Sequence, residues 1–167
     1  MTVYNWMLWL HILLSIIFFF IHGVSLVTSV YLPREKNIGR MKLLLEIPEI
    51  TIAPMGICML GLLITSIYMG SAAQWWGRGW WGASFLLFLG MIYWMGSYSR
   101  RYYSPIRKAL GMMYMTGFAK RNTPEEGKPV DLAEVEALIA KTNPRLLMIV
   151  GLAVLGLLLF LMRFKPF

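Results

Sequence analysis

Four stretches of this chain are almost unbroken runs of apolar residues, and short polar segments divide them. They cover residues 3–32, 50–70, 80–98 and 146–162. A helix needs about 20 residues to cross the hydrocarbon core of a bilayer, so each run is long enough, or nearly so, to span it. The pattern predicts an all-α, polytopic membrane protein: one domain, residues 1–167, built as an antiparallel four-helix transmembrane bundle. The first run does not read as a cleavable signal peptide, because it has no basic leader and no small-residue cleavage site follows it.

Polar positions inside the runs are not scattered. His11, Ser15, Phe18, His22, Ser25 and Ser29 are spaced 4, 3, 4, 3, 4, which draws a single seam down one helix face. Leu13, Ile16, Ile17 and Phe20 fall on the other faces, so the first helix has a lipid side and a protein side. The second run repeats the device with Thr51, Pro54, Cys58, Gly61, Thr65 and Tyr68. The third offers Ala83, Gly90 and Ser97, and the fourth only Gly151 and Gly156. Small and hydroxyl residues let helices approach closely and bond to each other in lipid. The polar interior is therefore expected mainly from the first two helices.

The connections carry local signals of their own. In "SPIRKALGMMYMTGFAKR", Ser104 reads as an N-cap and Pro105 as the first helical residue, and Ile106, Leu110, Met113 and Gly117 recur at helical spacing. A short helix on the membrane surface is the expectation. "NTPEEGKP" reads as a polar turn. "DLAEVEALIAKTNP" opens with Asp131 and Glu134 in capping-box spacing, presents Leu132, Val135, Leu138 and Ile139 on one face, and stops at Asn143 and Pro144. Two short cytoplasmic surface helices follow from these signals. "WWGRGWW" between the second and third runs fits an interfacial aromatic belt.

Composition and charge set the orientation. The chain is 58% hydrophobic, with a formal net charge of +8. The basic residues gather in the first and third connections, with only Arg78 in the second, which puts those two connections in the cytoplasm and both termini outside. Such loops also attract anionic lipid. No nucleic-acid recognition motif accompanies the charge, so nucleic acid is not expected as a partner. The one cysteine, Cys58, forms no internal disulfide. Glu46 and Glu49 sit where the second helix enters the membrane, at the depth of Arg34, Arg100 and Arg101. These five read as an interfacial ion-pair cluster.

The chemistry rests on two histidines, His11 and His22, the only ones in the chain. Eleven residues is three helical turns plus ~20°, so they share a face about 16 Å apart along the axis. An ionisable side chain within a bilayer is a functional candidate by default, and neutral imidazole ligates haem or metal. A bis-histidine haem b would need a second imidazole, from a homodimer or another membrane subunit. Otherwise Met59, Met91 or Met95 could supply the second ligand. Copper accepts imidazole and thioether donors. A proton path, or plain hydrogen bonding across the seam, are the other readings. No hydrolase triad, phosphate loop or pair of intramembrane carboxylates is present, which argues against an enzyme.

The segment "WLHILLSIIFFFIHG" resembles the opening of small integral membrane proteins of bacteria, distant relatives of the copper-resistance D group and of a haem-binding membrane protoporphyrinogen oxidase group. The resemblance covers the first helix and the four-helix plan. It implies an inner-membrane location and His11 as a metal or haem ligand. The oxidase group's lysine has no counterpart inside a helix here. The functional expectation is a non-catalytic subunit of a redox or energy-transducing membrane complex. A metal-handling or transport protein, or a purely structural subunit, are the alternatives.

Overall fold

The computed structural model describes residues 2–116, 120–123 and 129–166. Helix α1 spans Val3–Tyr31, α2 Ile38–Ala72, α3 Gly79–Tyr98, α4 Ser104–Ala109, α5 Leu132–Ala140 and α6 Pro144–Phe164. A two-stranded antiparallel hairpin, β1 (Tyr114–Thr116) with β2 (Lys120–Asn122), lies between α4 and α5, with Met115 opposite Arg121. Among the described residues, three segments are long and apolar enough to cross a membrane: Val3–Arg34, Ile38–Ala72 and Arg145–Phe164. Helix α3 has 20 residues, about 30 Å of helix. Its mean hydropathy is lowered by the Trp, Tyr and Gly residues at its ends.

Helices α1, α2, α3 and α6 share one core, in which Phe18, Cys58, Leu62, Met91 and Leu155 are buried. On α1 the buried residues are His11, Phe18, His22, Thr28 and Ser29, with Ser15 and Ser25 half-buried. Ile16, Ile17 and Phe20 stay exposed, so the lipid and protein sides fall where the spacing puts them. On α2 the seam narrows to Cys58 and Thr65, while Pro54 is exposed. On α3 the expected stripe is displaced by one residue. Ser84, Met91 and Tyr98 are buried and Gly90 is exposed. Side-chain volume decides this: the Met91 and Tyr98 side chains fill the core where a small-residue stripe would leave voids.

Helix α2 starts twelve residues before the expected boundary at residue 50. The Asn37 side chain caps it by accepting from the Arg40 N–H at 3.1 Å. Met41 and Leu45 then bury one face, and the helix runs through Pro48 and Pro54. Each proline removes a backbone donor and crowds the carbonyl four residues earlier. Near Pro48 the Leu45 carbonyl finds an external donor, Arg107 Nη1, at 2.8 Å.

This early start creates a second core below the bundle. Leu32, Met41, Leu45, Ile106, Leu110, Met112, Val135 and Ile139 are buried together. The connections therefore fold into a cap rather than lying as separate surface helices. The expected helix from Ser104 survives only to Ala109. Gly111 takes a positive φ of 69°, which an L residue rarely adopts, and the chain turns into the hairpin. Ser104 is not a cap either: a π-helical turn over Ser99–Tyr103 joins α3 to α4 without a break. Asp131 does cap α5, accepting from Ala133 N–H at 2.9 Å. Asn143 follows the end of α5 and caps α6 by accepting from Leu146 N–H at 3.0 Å. Residue 117 and most of the "NTPEEGKP" turn lie outside the described residues.

At the opposite end, Trp75, Trp76, Trp80 and Trp81 pack against each other around the α2–α3 turn. Lys165 Nζ lies 4.4 Å from the Trp75 ring centroid and 5.3 Å from that of Trp80, a cation–π clasp on the end of α6. Burial of Tyr103 at the junction of bundle and cap pushes its phenol up to about 12, against a hydrogen bond with Ser29 that lowers it.

Ile106 is fully buried in the cap core. Ile106→Ala is expected to cost about 3 kcal/mol. Hydrogen exchange should show it as lost protection of the α5 amides, with the core of α1 unchanged.

Candidate functional site

The two histidines of α1 end in different surroundings. His11 Nδ1 lies 2.7 Å from Thr65 Oγ1 on α2. Thr65 Oγ1 also lies 2.7 Å from the Gly61 carbonyl and 3.1 Å from that of Leu62. The hydroxyl has one proton, and a carbonyl has none to give, so that proton goes back to the α2 backbone. The short contact to His11 then needs its hydrogen from the imidazole. The network assigns Nδ1–H to His11 and leaves Nε2 with an open lone pair.

His11 also lines a cavity of about 70 Å³ between α1, α2, α3 and α6. Phe18, Leu62, Phe85, Phe88 and Met162 are among its walls. Ser15 and Ser84 also border it, but they direct their protons to the carbonyls of His11 and Trp80, each at 2.8 Å. The site is thus an imidazole bordering a mostly apolar space, with Ser15, Ser66 and Ser84 as its hydroxyls.

His22 is almost fully buried, at 1% exposure. Neither ring nitrogen has a hydrogen-bond partner among the described residues. Its ring stacks on Phe18 with centroids 6.2 Å apart. Gly151 of α6 closes the space: a Cβ there would sit 3.0 Å from His22 Nε2. Only glycine lets α6 approach this ring without displacing it. No described donor replaces water for this imidazole, and an unsatisfied buried polar group costs about 1–3 kcal/mol.

The candidate second ligands divide by position. Met91 is buried, and Met59 and Met95 half-buried, around the shared core with Phe18 and Cys58. None of the three lines the His11 cavity, and Met162 does. A sequence signal for Met162 existed in its distance from Gly151, which repeats the His11–His22 interval. It carries weight only once the pairing of α1 with α6 is known. Tyr68 is half-buried on α2, and Ser29 Oγ donates to the Ser25 and Leu26 carbonyls, each at 2.9 Å. Among the described residues no three of His, Cys, Asp and Glu converge on a point.

The acidic pair near the start of α2 has partners in α4 and the hairpin. Glu49 pairs with Arg107 and lies 3.8 Å from Arg121. Glu46 acts on Arg107 through its charge. Arg107 Nε further donates to the Met113 carbonyl at 2.7 Å. Arg100 Nη2 donates to Ser97 Oγ at 3.3 Å, Arg101 lies 5.7 Å from the Tyr102 ring centroid, and Arg34 is exposed beyond α1. The cluster therefore ties α2 to α4 and the hairpin. It leaves no carboxylate aimed at the histidine seam.

The cavity beside His11 measures about 70 Å³, and at His22 the backbone of Gly151 comes close to the ring. No known protein family, curated protein or solved structure matches this chain.

His22→Leu is expected to raise thermal stability, by about 1–2 kcal/mol, because it removes the unsatisfied nitrogens at similar volume. Gly151→Leu should lower it by a comparable amount through overpacking. Thermal unfolding in mild detergent compares the two. A destabilised His22→Leu protein would show that the ring has a partner beyond this chain.

Proposed function

We propose that this chain is a metal-binding integral membrane protein of four spans. Helix α3 would be the fourth span, both termini would face outward, and the cap would lie in the cytoplasm of a bacterium, beneath its inner membrane. The basic residues gathered at the cap end support that orientation. So do the tryptophans at the other end, at the depth of an interfacial belt.

The observation that carries the metal reading is the bond between His11 and Thr65. A ligating histidine needs one nitrogen held by its surroundings and the other free to coordinate. Thr65 holds Nδ1, and the same ring borders a mostly apolar cavity. Small size and the absence of a hydrolytic or phosphate-binding arrangement favour a non-catalytic subunit. The exposed apolar faces of α1 and α2 would meet lipid or other subunits of a membrane assembly, and the basic cap would meet anionic headgroups.

Two measurements test this. Protein purified in mild detergent without chelators is expected to carry metal that His11→Ala loses and His22→Ala keeps. Its reduced-minus-oxidised spectrum is expected to lack a Soret band. Equal metal content in all three proteins, or a haem spectrum abolished by His11→Ala, would overturn the metal-ion reading.

A further inference from the structure

His22 is buried in the bundle and left without a hydrogen-bond partner among the described residues. Its ring stacks on Phe18, and the backbone of α6 reaches it at Gly151, where a Cβ would lie 3.0 Å from Nε2. A neutral imidazole can stand there. An imidazolium cannot, without water or a counter-charge, because an unpaired buried charge costs far more than an unpaired buried dipole.

The surroundings hold no counter-charge. No Asp, Glu, Lys or Arg occurs in residues 2–33, 50–77, 79–99 or 146–162, the segments that wall the bundle. The other titratable groups of α1 are Tyr4, His11 and Tyr31. Within the bundle α2 adds Cys58 and Tyr68, α3 adds Tyr93 and Tyr98, and α6 adds none between Arg145 and Arg163. None is a carboxylate, and Glu49 is engaged with Arg107 in the cap. Helix α6 is also free to move. Its polar ties lie at its ends, where the Asn143 N–H meets Tyr98 Oη and Lys165 rests on Trp75 and Trp80.

We infer that His22 is a proton-triggered release for α6: neutral, it is packed shut against Gly151, and protonated, it drives α6 away from α1. The cavity beside His11 is walled on the α6 side by Leu155, Leu158, Leu159 and Met162, so release of α6 opens it. The proton binds to the open state, where water reaches the ring, and the closed state excludes it. Opening therefore takes up one proton, and its equilibrium constant rises as pH falls. This switch does not depend on what His11 binds.

The chain supplies its own reporter. Cys58 is buried with Phe18 of α1 and Leu155 of α6, so separation of those helices exposes the thiol. The full-length protein in mild detergent is treated with a pyridyl disulfide, which reacts with thiols in acid as well as at neutral pH. The rate at each pH is divided by that of the same chain in denaturant, which removes the reagent's own pH dependence. From about pH 8 to about pH 5, across the histidine range, the normalised rate of the wild type is expected to rise, with a limiting slope of about tenfold per pH unit for one proton. His22→Leu and His22→Gln, neither of which titrates, should show no slope, and His11→Ala should keep it. The slope is the readout, so a variant that is merely loosened still tests the switch. A flat wild-type profile, or a slope that survives in either His22 variant, would sink the proposal. So would loss of the slope in all three variants, because the effect would then follow from any disturbance of α1.

Discussion

The constraint on which this structure turns is the absence of water between closely packed apolar helices. Every polar group on the inner faces of the helices must be met by another part of the protein. Thr65 meets His11 and returns its own proton to its helix backbone. Ser15 and Ser84 likewise bond back to carbonyls of their own helices. These back-bonds let hydroxyls sit in an apolar interior at little cost, but they also leave the hydroxyls without protons for a neighbouring helix. His11 is therefore held by one partner alone, and His22 by none among the described residues. The asymmetry between two imidazoles on one face arises from what the other helices offer at each level.

The same accounting governs the cap. Helix α2 has 35 residues, about 52 Å, far beyond the ~30 Å that hydrocarbon requires. Its extra length carries Met41 and Leu45 down to meet α4 and α5. Arg107 then binds the Leu45 carbonyl, the Met113 carbonyl and the Glu49 carboxylate. A guanidinium, with five donors in a fixed fork, suits a site where a proline-interrupted helix, a turn and a carboxylate all need a partner. The cap and bundle are joined through α2 and through the continuous run of α3, π-turn and α4. Motion of the cap would therefore be felt at the ends of the spans.

Helix α6 closes the bundle with few polar ties. Tyr98 Oη accepts from the Asn143 N–H at 3.1 Å at one end, and Lys165 rests on two indole rings at the other. Between them the contact surface is Leu147, Gly151, Leu155, Leu158 and Leu161. Van der Waals packing sets the position of such a helix, and one glycine sets how near it comes to α1. That position decides whether a cavity exists beside His11.

The amino-acid sequence by itself determined the apolar runs, the faces of α1, the cap of α5 by Asp131 and the clustering of basic charge. Each follows from periodicity and local chemistry, which act over a few residues and are present in the unfolded chain. It also isolated two imidazoles that require explanation. The boundary of α2 was hidden, because Glu46 and Pro48 look like an interface and a breaker until Met41 and Leu45 are seen packed against α4 and α5. The hairpin after α4 was hidden because helical spacing persists past Gly111, whose positive φ belongs to the folded turn. Above all, Thr65 and Met162 acquire their meaning only from interhelical register. Register is a property of packing between segments 54 and 151 residues apart, and no pattern within one helix encodes it. Tertiary structure alone decided which imidazole is held by a threonine beside a cavity and which is walled in without a partner among the described residues.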